Sequence, residues 1–275
     1  MKNLLGVMQG RLLPKFKTRY QAHPVGYWQD EFPIAKSLGL DCIEFILDYN
    51  DYEKNPLLTD SGINEILDTV RESGVKVVSI CADYFMEAPF HSADLGIVKA
   101  SQNVLSLLLK NGKKLGVKDI VIPCVDQSSL KSDSDKKVFY EKLSPLVKEA
   151  ETLDINLSLE TDLGPKPFLD VIKKFNSKAV TVNYDIGNSA SLGFDPIEEF
   201  DFYGLHITDI HIKDRKLNSG SVELGNGDAQ FDKVLRKIKE LNYSGPLIMQ
   251  AYRDDEGLEI FKRQLDWVRR NFLIE

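Results

Sequence analysis

Short apolar runs alternate with longer amphipathic stretches along the whole chain. Several helical stretches end in a brief stop, such as SLGLD before CIEFILD, ESGVK before VVSICAD and KLGVKD before IVIPCVD. A glycine after the last helical turn is typical of a left-handed C-cap. Counting LLGVMQ as the first strand and LHITDIHIK as the seventh gives eight strands. Strands that alternate with helices in this way predict a parallel sheet.

The connections between these elements are unequal in length. Helix-to-strand connections take only a few residues, whereas several strand-to-helix connections are long and cover residues 10–29, 49–62, 83–96, 126–135 and 214–230. This asymmetry is typical of a (β/α)8 barrel, whose active site is built from the loops after the strands. We therefore predict an α/β protein with a single TIM-barrel domain over residues 1–275. A doubly wound open sheet is the alternative, but no glycine-rich dinucleotide fingerprint follows the first strand.

Polar and apolar side chains alternate on the fifth, sixth and seventh predicted strands. Side chains of a strand point alternately to its two faces, so each of these strands has one polar and one apolar face. The apolar faces should pack on helices, which leaves the polar faces to line the barrel. A polar interior needs a purpose, because burying an unpaired carboxylate is costly. The inward-facing set is Asn156, Ser158, Glu160, Asp162, Thr181, Asn183, Asp185, Asp209, His211 and Lys213.

Four consecutive strand-like runs carry, at or near their ends, a residue type that can bind a divalent metal. These residues are Glu160, Asp185, His211 and Gln250. In a parallel barrel the four strand ends face one another around one mouth. Two carboxylates and an imidazole suit Mn²⁺, Mg²⁺, Co²⁺ or Zn²⁺, so we predict one divalent metal as cofactor. A hydrogen-bonded network with Lys213 as counter-ion is the alternative.

Composition and charge narrow the class of protein. Hydrophobic residues make up 43% of the chain and charged residues 28%, which is typical of a globular protein with a substantial core. The net charge of -7 disfavours binding to nucleic acid, which depends on clustered cations. No apolar run is long enough to cross a bilayer, and the N-terminus resembles a first strand more than a signal peptide. We therefore expect a cytoplasmic protein without a membrane partner.

Several motifs together resemble the xylose isomerase-like TIM barrels, the superfamily of sugar-phosphate isomerases and epimerases. They are MQGRL at 8–12, IE at 43–44, LE at 159–160, DIGN at 185–188, HIKD at 211–214, GNG at 225–227 with Phe231, and YSG at 243–245. The resemblance covers nearly the whole chain. It implies a (β/α)8 barrel, a small carbohydrate or sugar phosphate as substrate, and possible assembly into homo-oligomers.

The resemblance also implies roles for individual residues. Ketose epimerases of this type bind one divalent metal through a carboxylate, an aspartate, a histidine and a glutamate on the last four strands, which here correspond to Glu160, Asp185, His211 and Gln250. The chain departs from the pattern at Gln250, because an amide oxygen can bind a cation but cannot exchange a proton. Glu160 is the expected catalytic base, with a metal-stabilised enediolate as intermediate. An opposed acid, which two-base epimerisation needs, is missing at position 250.

Other polar residues near strand ends are candidates for contact with substrate. They are Glu44, Asp83, His91, Lys213 and Arg253. We hypothesise a sugar or sugar-phosphate isomerase or epimerase. The alternatives are a metal-dependent lyase of the keto-inositol dehydratase type and a sugar-binding descendant without catalysis. A nuclease of the apurinic-endonuclease type is disfavoured. Those enzymes bind several metals through many histidines, whereas this chain has only four histidines and is acidic.

Overall fold

A closed ring of eight parallel strands is the centre of the computed structural model, which describes residues 3–272. Each barrel strand is hydrogen-bonded to the barrel strands that precede and follow it in sequence. The first strand pairs with both the second and the last, which closes the ring. The predicted (β/α)8 barrel is therefore confirmed. The barrel strands are β1 (Leu5–Met8), β2 (Cys42–Ile46), β3 (Lys76–Cys81), β4 (Asp119–Cys124), β5 (Asn156–Thr161), β6 (Val180–Asp185), β7 (Ile207–Ile212) and β10 (Leu247–Met249).

Ten helices accompany these strands in the part of the chain that the structure describes. Gly39, Gly74 and Gly116, which stand in the predicted stops, have φ of 67°, 77° and 79°, as expected of residues that end helices. The helices are α1 (Glu31–Ser37), α2 (Asp60–Ser73), α3 (Tyr84–Glu87), α4 (Leu95–Leu115), α5 (Asp133–Leu153), α6 (Pro165–Phe175), α7 (Ile186–Leu192), α8 (Pro196–Tyr203), α9 (Phe231–Glu240) and α10 (Glu259–Phe272). None of the helices in residues 3–272 is both long enough and apolar enough to span a bilayer.

The loop after β7 contains a small hairpin of β8 (Asp214–Arg215) and β9 (Ser221–Val222). The Asp214 carboxylate holds this loop by accepting N–H bonds from Gly225 and Gly227, each at 2.9 Å. A Cβ at Gly227 would lie 2.0 Å from Asp214 Oδ1, so only glycine allows the close approach. The GNG motif is thus a loop anchor at the mouth of the barrel.

The interior of the barrel is divided into an apolar and a polar half. Outward-facing side chains such as Leu157, Val182 and Ile210 join the main core beneath the helices. A separate inner cluster of Met8, Cys42, Ile46, Cys81, Val121 and Ile248 fills the space between β1, β2, β3, β4 and β10. The inward positions of β5, β6 and β7 are polar, as the alternation predicts, and they are largely buried. The polar half is therefore the place where the structure must satisfy charge.

Candidate metal centre

Three side chains from three adjacent strands converge in the polar half of the barrel. Glu160 stands near the end of β5, Asp185 is the last residue of β6, and His211 lies beside Asp185 in the strand register. Each offers one potential ligand atom, and these atoms lie within 4.8 Å of one another in buried surroundings. The parity of the strands thus brings two carboxylates and an imidazole to one point.

The Asp185 carboxylate caps a helix and also pairs with a lysine. Its Oδ1 accepts the backbone N–H of Asn188 at 2.8 Å, which caps the start of α7. Its Oδ2 lies 3.2 Å from Lys213 Nζ. A Cβ at Gly187 would lie 2.6 Å from Lys213 Cγ, so the glycine of the DIGN motif leaves room for the lysine to reach Asp185. The cap and the ion pair together fix the carboxylate at the mouth.

Glu160 is held by two amides. Asn183 Nδ2 donates to Oε2 at 2.8 Å, and Asn188 Nδ2 donates to Oε1 at 2.6 Å. Burial raises the pKa of Glu160 to about 7, and the neighbouring charge of Asp185 adds to the rise, although His211 and Lys213 oppose it. In the cation-free protein the carboxyl group is therefore fixed in orientation and titrates near neutral pH.

His211 is oriented from below by Glu44. His211 Nε2 lies 2.7 Å from Glu44 Oε1, and Ser79 Oγ donates to the other oxygen of Glu44 at 2.5 Å. His211 Nδ1 faces the opposite way, 3.1 Å from Asn183 Nδ2 and 3.7 Å from Glu160 Oε2. A histidine that binds a metal usually donates its second N–H to a carboxylate, which fixes the ring and its tautomer. Glu44 therefore occupies the position of such an orienting carboxylate.

Gln250 directly follows β10 and faces the same mouth. Ile248 is in register with His211, so Gln250, two residues further, points to the same interior face. Its Nε2 donates to Gln21 Oε1 at 2.8 Å, whereas its buried Oε1 has no hydrogen-bond partner. A buried carbonyl oxygen without a protein partner needs a ligand or an ordered water to complete it. The Gln250 oxygen is therefore a candidate fourth ligand beside Glu160, Asp185 and His211.

A second acidic group lies behind His211. Asp209 and Glu44 each place an oxygen close to the imidazole, and both oxygens of the fully buried Asp209 lack a hydrogen-bond partner. Burial raises the pKa of Glu44 to about 7 and that of Asp209 well above its usual range. The carboxylates around His211 are those of Glu44, Glu160, Asp185 and Asp209. Among the side chains of residues 3–272, Lys213 is the only Lys or Arg that hydrogen-bonds to one of them, Asp185. Lys213 pairs with Asp185, which leaves Glu160 without a Lys or Arg partner among residues 3–272 and favours a bound cation over a closed network of ion pairs.

The remaining predicted substrate contacts lie at different depths. Asp83 is at the rim, where Gln21 Nε2 donates to its Oδ2 at 3.1 Å. His91 is half-buried in the loop after β3, with the charge of Asp135 nearby, and burial lowers its pKa. The Arg253 guanidinium donates to backbone carbonyls, among them Gly257 at 2.7 Å, and lies over the ring of Tyr20. These contacts favour a role for Arg253 in holding loops together, and its contact with substrate stays a prediction.

The sequence alone assigns no role to three residues whose side chains contact Glu160 or Gln250. Asn183 is in the inward-facing set and Asn188 is in the DIGN motif, so strand parity and the motif place both near Glu160 without revealing their bonds to it. Gln21 lies in the long loop after β1, where no periodicity exists to reveal it. Its contacts with Arg11, Asp83 and Gln250 arise only from the fold.

Known proteins share both the sequence pattern and the fold. A family model for the xylose isomerase-like TIM barrel matches residues 32–271. The L-ribulose-5-phosphate 3-epimerase UlaE of Escherichia coli O1:K1 is 24% identical over 263 residues, which cover 90% of this chain and 92% of that protein. This relative is a sugar epimerase, and thus an isomerase.

Solved structures extend the comparison of the fold. The 3-keto-D-glucoside 4-epimerase YcjR from E. coli superposes with a TM-score of 0.77 at 16% identity, over 98% of this chain and 100% of that one. The IolI protein, solved with a zinc atom, superposes with a TM-score of 0.74 at 18% identity, over 99% and 97% of the two chains. At these identities the superpositions establish the fold alone, while the family model covers most of the sequence. The chain therefore belongs to the xylose isomerase-like TIM barrel family.

Proposed function

We propose that this protein is a divalent-metal-dependent isomerase or epimerase that acts on a small sugar or sugar phosphate. The observation that carries the proposal is the convergence of buried ligand atoms from Glu160, Asp185 and His211 within 4.8 Å. The relative UlaE supports the substrate class, because it is an epimerase of a sugar phosphate. The extent of the domain over residues 1–275 is part of the same proposal.

The donor set is suited to a hard or borderline cation. Glu160, Asp185, His211 and the free oxygen of Gln250 would hold it, and mixed oxygen and nitrogen ligands fit Mn²⁺, Mg²⁺, Co²⁺ or Zn²⁺. When bound, the ion would act as a Lewis acid that stabilises negative charge on a substrate oxygen beside the reacting carbon.

Glu160 would hold the proton removed from that carbon. Its two amide donors keep the carboxylate in one orientation, as a general base requires. Gln250 cannot give or take a proton, so a different group must serve the opposite face if the product is an epimer. Asp83 follows β3, which lies across the closed ring from β7, and its carboxylate is at the rim. We assign Asp83 to that opposite face and Lys213 to a substrate oxygen.

Proton exchange with solvent tests the proposal. The purified protein, loaded with Mn²⁺, would be incubated in D₂O with a set of ketoses and ketose phosphates and followed by NMR. We expect deuterium at the carbon beside the carbonyl of at least one compound, and no incorporation with the Glu160→Gln variant. Loss of water from the substrate would favour the lyase alternative. A sugar that binds without exchanging a proton would favour a binding protein instead of an enzyme.

A further inference from the structure

The orientation of the Gln250 amide is determined by Gln21. The two ends of a glutamine amide differ, since the oxygen only accepts and the nitrogen only donates. Gln21 lies between a group that only donates and a group that only accepts. Arg11 Nη2 donates to Gln21 Oε1 at 3.0 Å, and Gln21 Nε2 donates to Asp83 Oδ2 at 3.1 Å. These two charged neighbours allow one orientation of the Gln21 amide.

The fixed Gln21 amide in turn fixes Gln250. Gln21 Oε1, already paired with Arg11, is the atom that faces Gln250, so Gln250 must present its nitrogen, at 2.8 Å. The Gln250 oxygen is thereby turned to the other side, where it is buried and has no partner. If the amide were reversed, two oxygens would face each other and the nitrogen would take the buried position that the oxygen now occupies.

We propose that Gln21 is a positioning residue that presents the Gln250 carbonyl oxygen, and not its amide nitrogen, to the cation. This inference rests on the proposed function, because it requires a cation at the candidate metal centre. Gln21 stands in the first long loop and Gln250 after the last strand, 229 residues apart, so the loop completes the site. The result is a neutral fourth ligand, and the ligand set then carries two negative charges, from Glu160 and Asp185.

The arrangement explains why glutamine is suited to position 250 in this chain. A glutamate there would place a carboxylate oxygen against Gln21 Oε1, and Gln21 could relieve the contact only by breaking its bonds to Arg11 and Asp83. The neutral ligand and the Gln21 amide are therefore one unit. Two carboxylates balance the charge of a divalent cation, whereas a third would add one negative charge to the ligand set.

Mn²⁺ binding to the full-length protein, followed by the EPR signal of free Mn²⁺, tests the proposal without any substrate. Gln21→Met keeps the volume of the side chain and removes its amide. We expect this variant to bind Mn²⁺ about 10- to 100-fold more weakly, the usual effect of losing a partner that orients a ligand. Thermal unfolding in EDTA checks that the apo fold is intact.

A double-mutant cycle separates positioning from a general structural effect. If Gln21 acts through Gln250, Gln21→Met has no further effect on Mn²⁺ affinity in a Gln250→Ala background. A matched exchange, Gln21→Glu with Asp83→Asn, moves the carboxylate from position 83 to position 21 and keeps an acceptor for Gln250 and Arg11. It should recover most of the lost affinity.

The outcomes are distinct. Wild-type affinity in Gln21→Met, full additivity with Gln250→Ala, or an exchanged pair that binds no better than Gln21→Met would each overturn the role of Gln21. A wild-type protein that binds no Mn²⁺, Mg²⁺, Co²⁺ or Zn²⁺ would overturn the proposed function and this inference together.

Discussion

Replacing Glu160 with glutamine should stabilise the metal-free protein at alkaline pH while abolishing proton exchange. Burial and the charge of Asp185 raise the pKa of Glu160 from 4.5 to about 7. A carboxyl group with a raised folded pKa favours folding when protonated, and that contribution is lost as the pH rises from about 4.5 through 7. The wild type must therefore bury an unfavourable charge at pH 8, which the variant avoids.

The magnitude follows from the pKa difference. Each pKa unit corresponds to about 1.4 kcal/mol, so the free energy of unfolding of the wild type should fall by about 2–3 kcal/mol relative to Glu160→Gln between pH 5 and pH 8. The substitution also has a cost, since a glutamine cannot accept N–H bonds from both Asn183 and Asn188, and one lost bond costs about 1 kcal/mol. We therefore expect the variant to be close to or below the wild type at pH 5 and above it at pH 8.

Urea unfolding in EDTA at the two pH values measures this difference. Glu198→Gln, which changes an exposed glutamate of α8, is the matched control and should show the same stability difference from wild type at both pH values. A Glu160→Gln variant that differs from wild type by one constant amount at pH 5 and pH 8 would refute the reasoning. A variant that still exchanges the substrate proton would refute the assignment of Glu160 as the base.

Three further substitutions probe the surroundings of the site. Gln250→Glu places a carboxylate against Gln21 Oε1, so the free energy of unfolding of the metal-free protein at pH 8 should fall by about 2–4 kcal/mol and recover on adding Mn²⁺. Unchanged stability in chemical denaturation would contradict this. Asp83→Asn should leave solvent deuterium exchange in place but lower the rate of epimer formation by about 10²–10⁴-fold in an NMR assay, and equal losses of both would exclude Asp83 as the opposed acid. Glu31 accepts N–H bonds from Gly10 and Leu12, and burial raises its pKa to about 7; Glu31→Gln should remove the part of the decline in stability between pH 5 and pH 8 that this group causes, and an unchanged slope of stability against pH would argue against it.

Local sequence patterns predict much of the architecture. The stops that contain Gly39, Gly74 and Gly116 locate helix ends because glycine adopts positive φ without steric cost. Alternation along β5, β6 and β7 reveals the inward face because side-chain direction has a period of two. Strand ends in a parallel barrel share one mouth, so Glu160, Asp185 and His211 could be placed together before any coordinates were known.

The eight-stranded barrel, the polar inward faces of β5, β6 and β7, and the meeting of Glu160, Asp185 and His211 could thus be predicted from the sequence. Tertiary structure alone decided what each polar atom faces. Glu44 lies beneath His211, Arg253 bonds to backbone carbonyls, and the free oxygen of Gln250 depends on Gln21. Periodicity gives the face of a strand on which a side chain stands, but hydrogen-bond partners depend on distances of a few ångströms between segments remote in the chain. Loops such as the one that carries Gln21 have no periodic pattern of polar and apolar residues. Their contacts at the mouth of the barrel can therefore be found only from the tertiary structure.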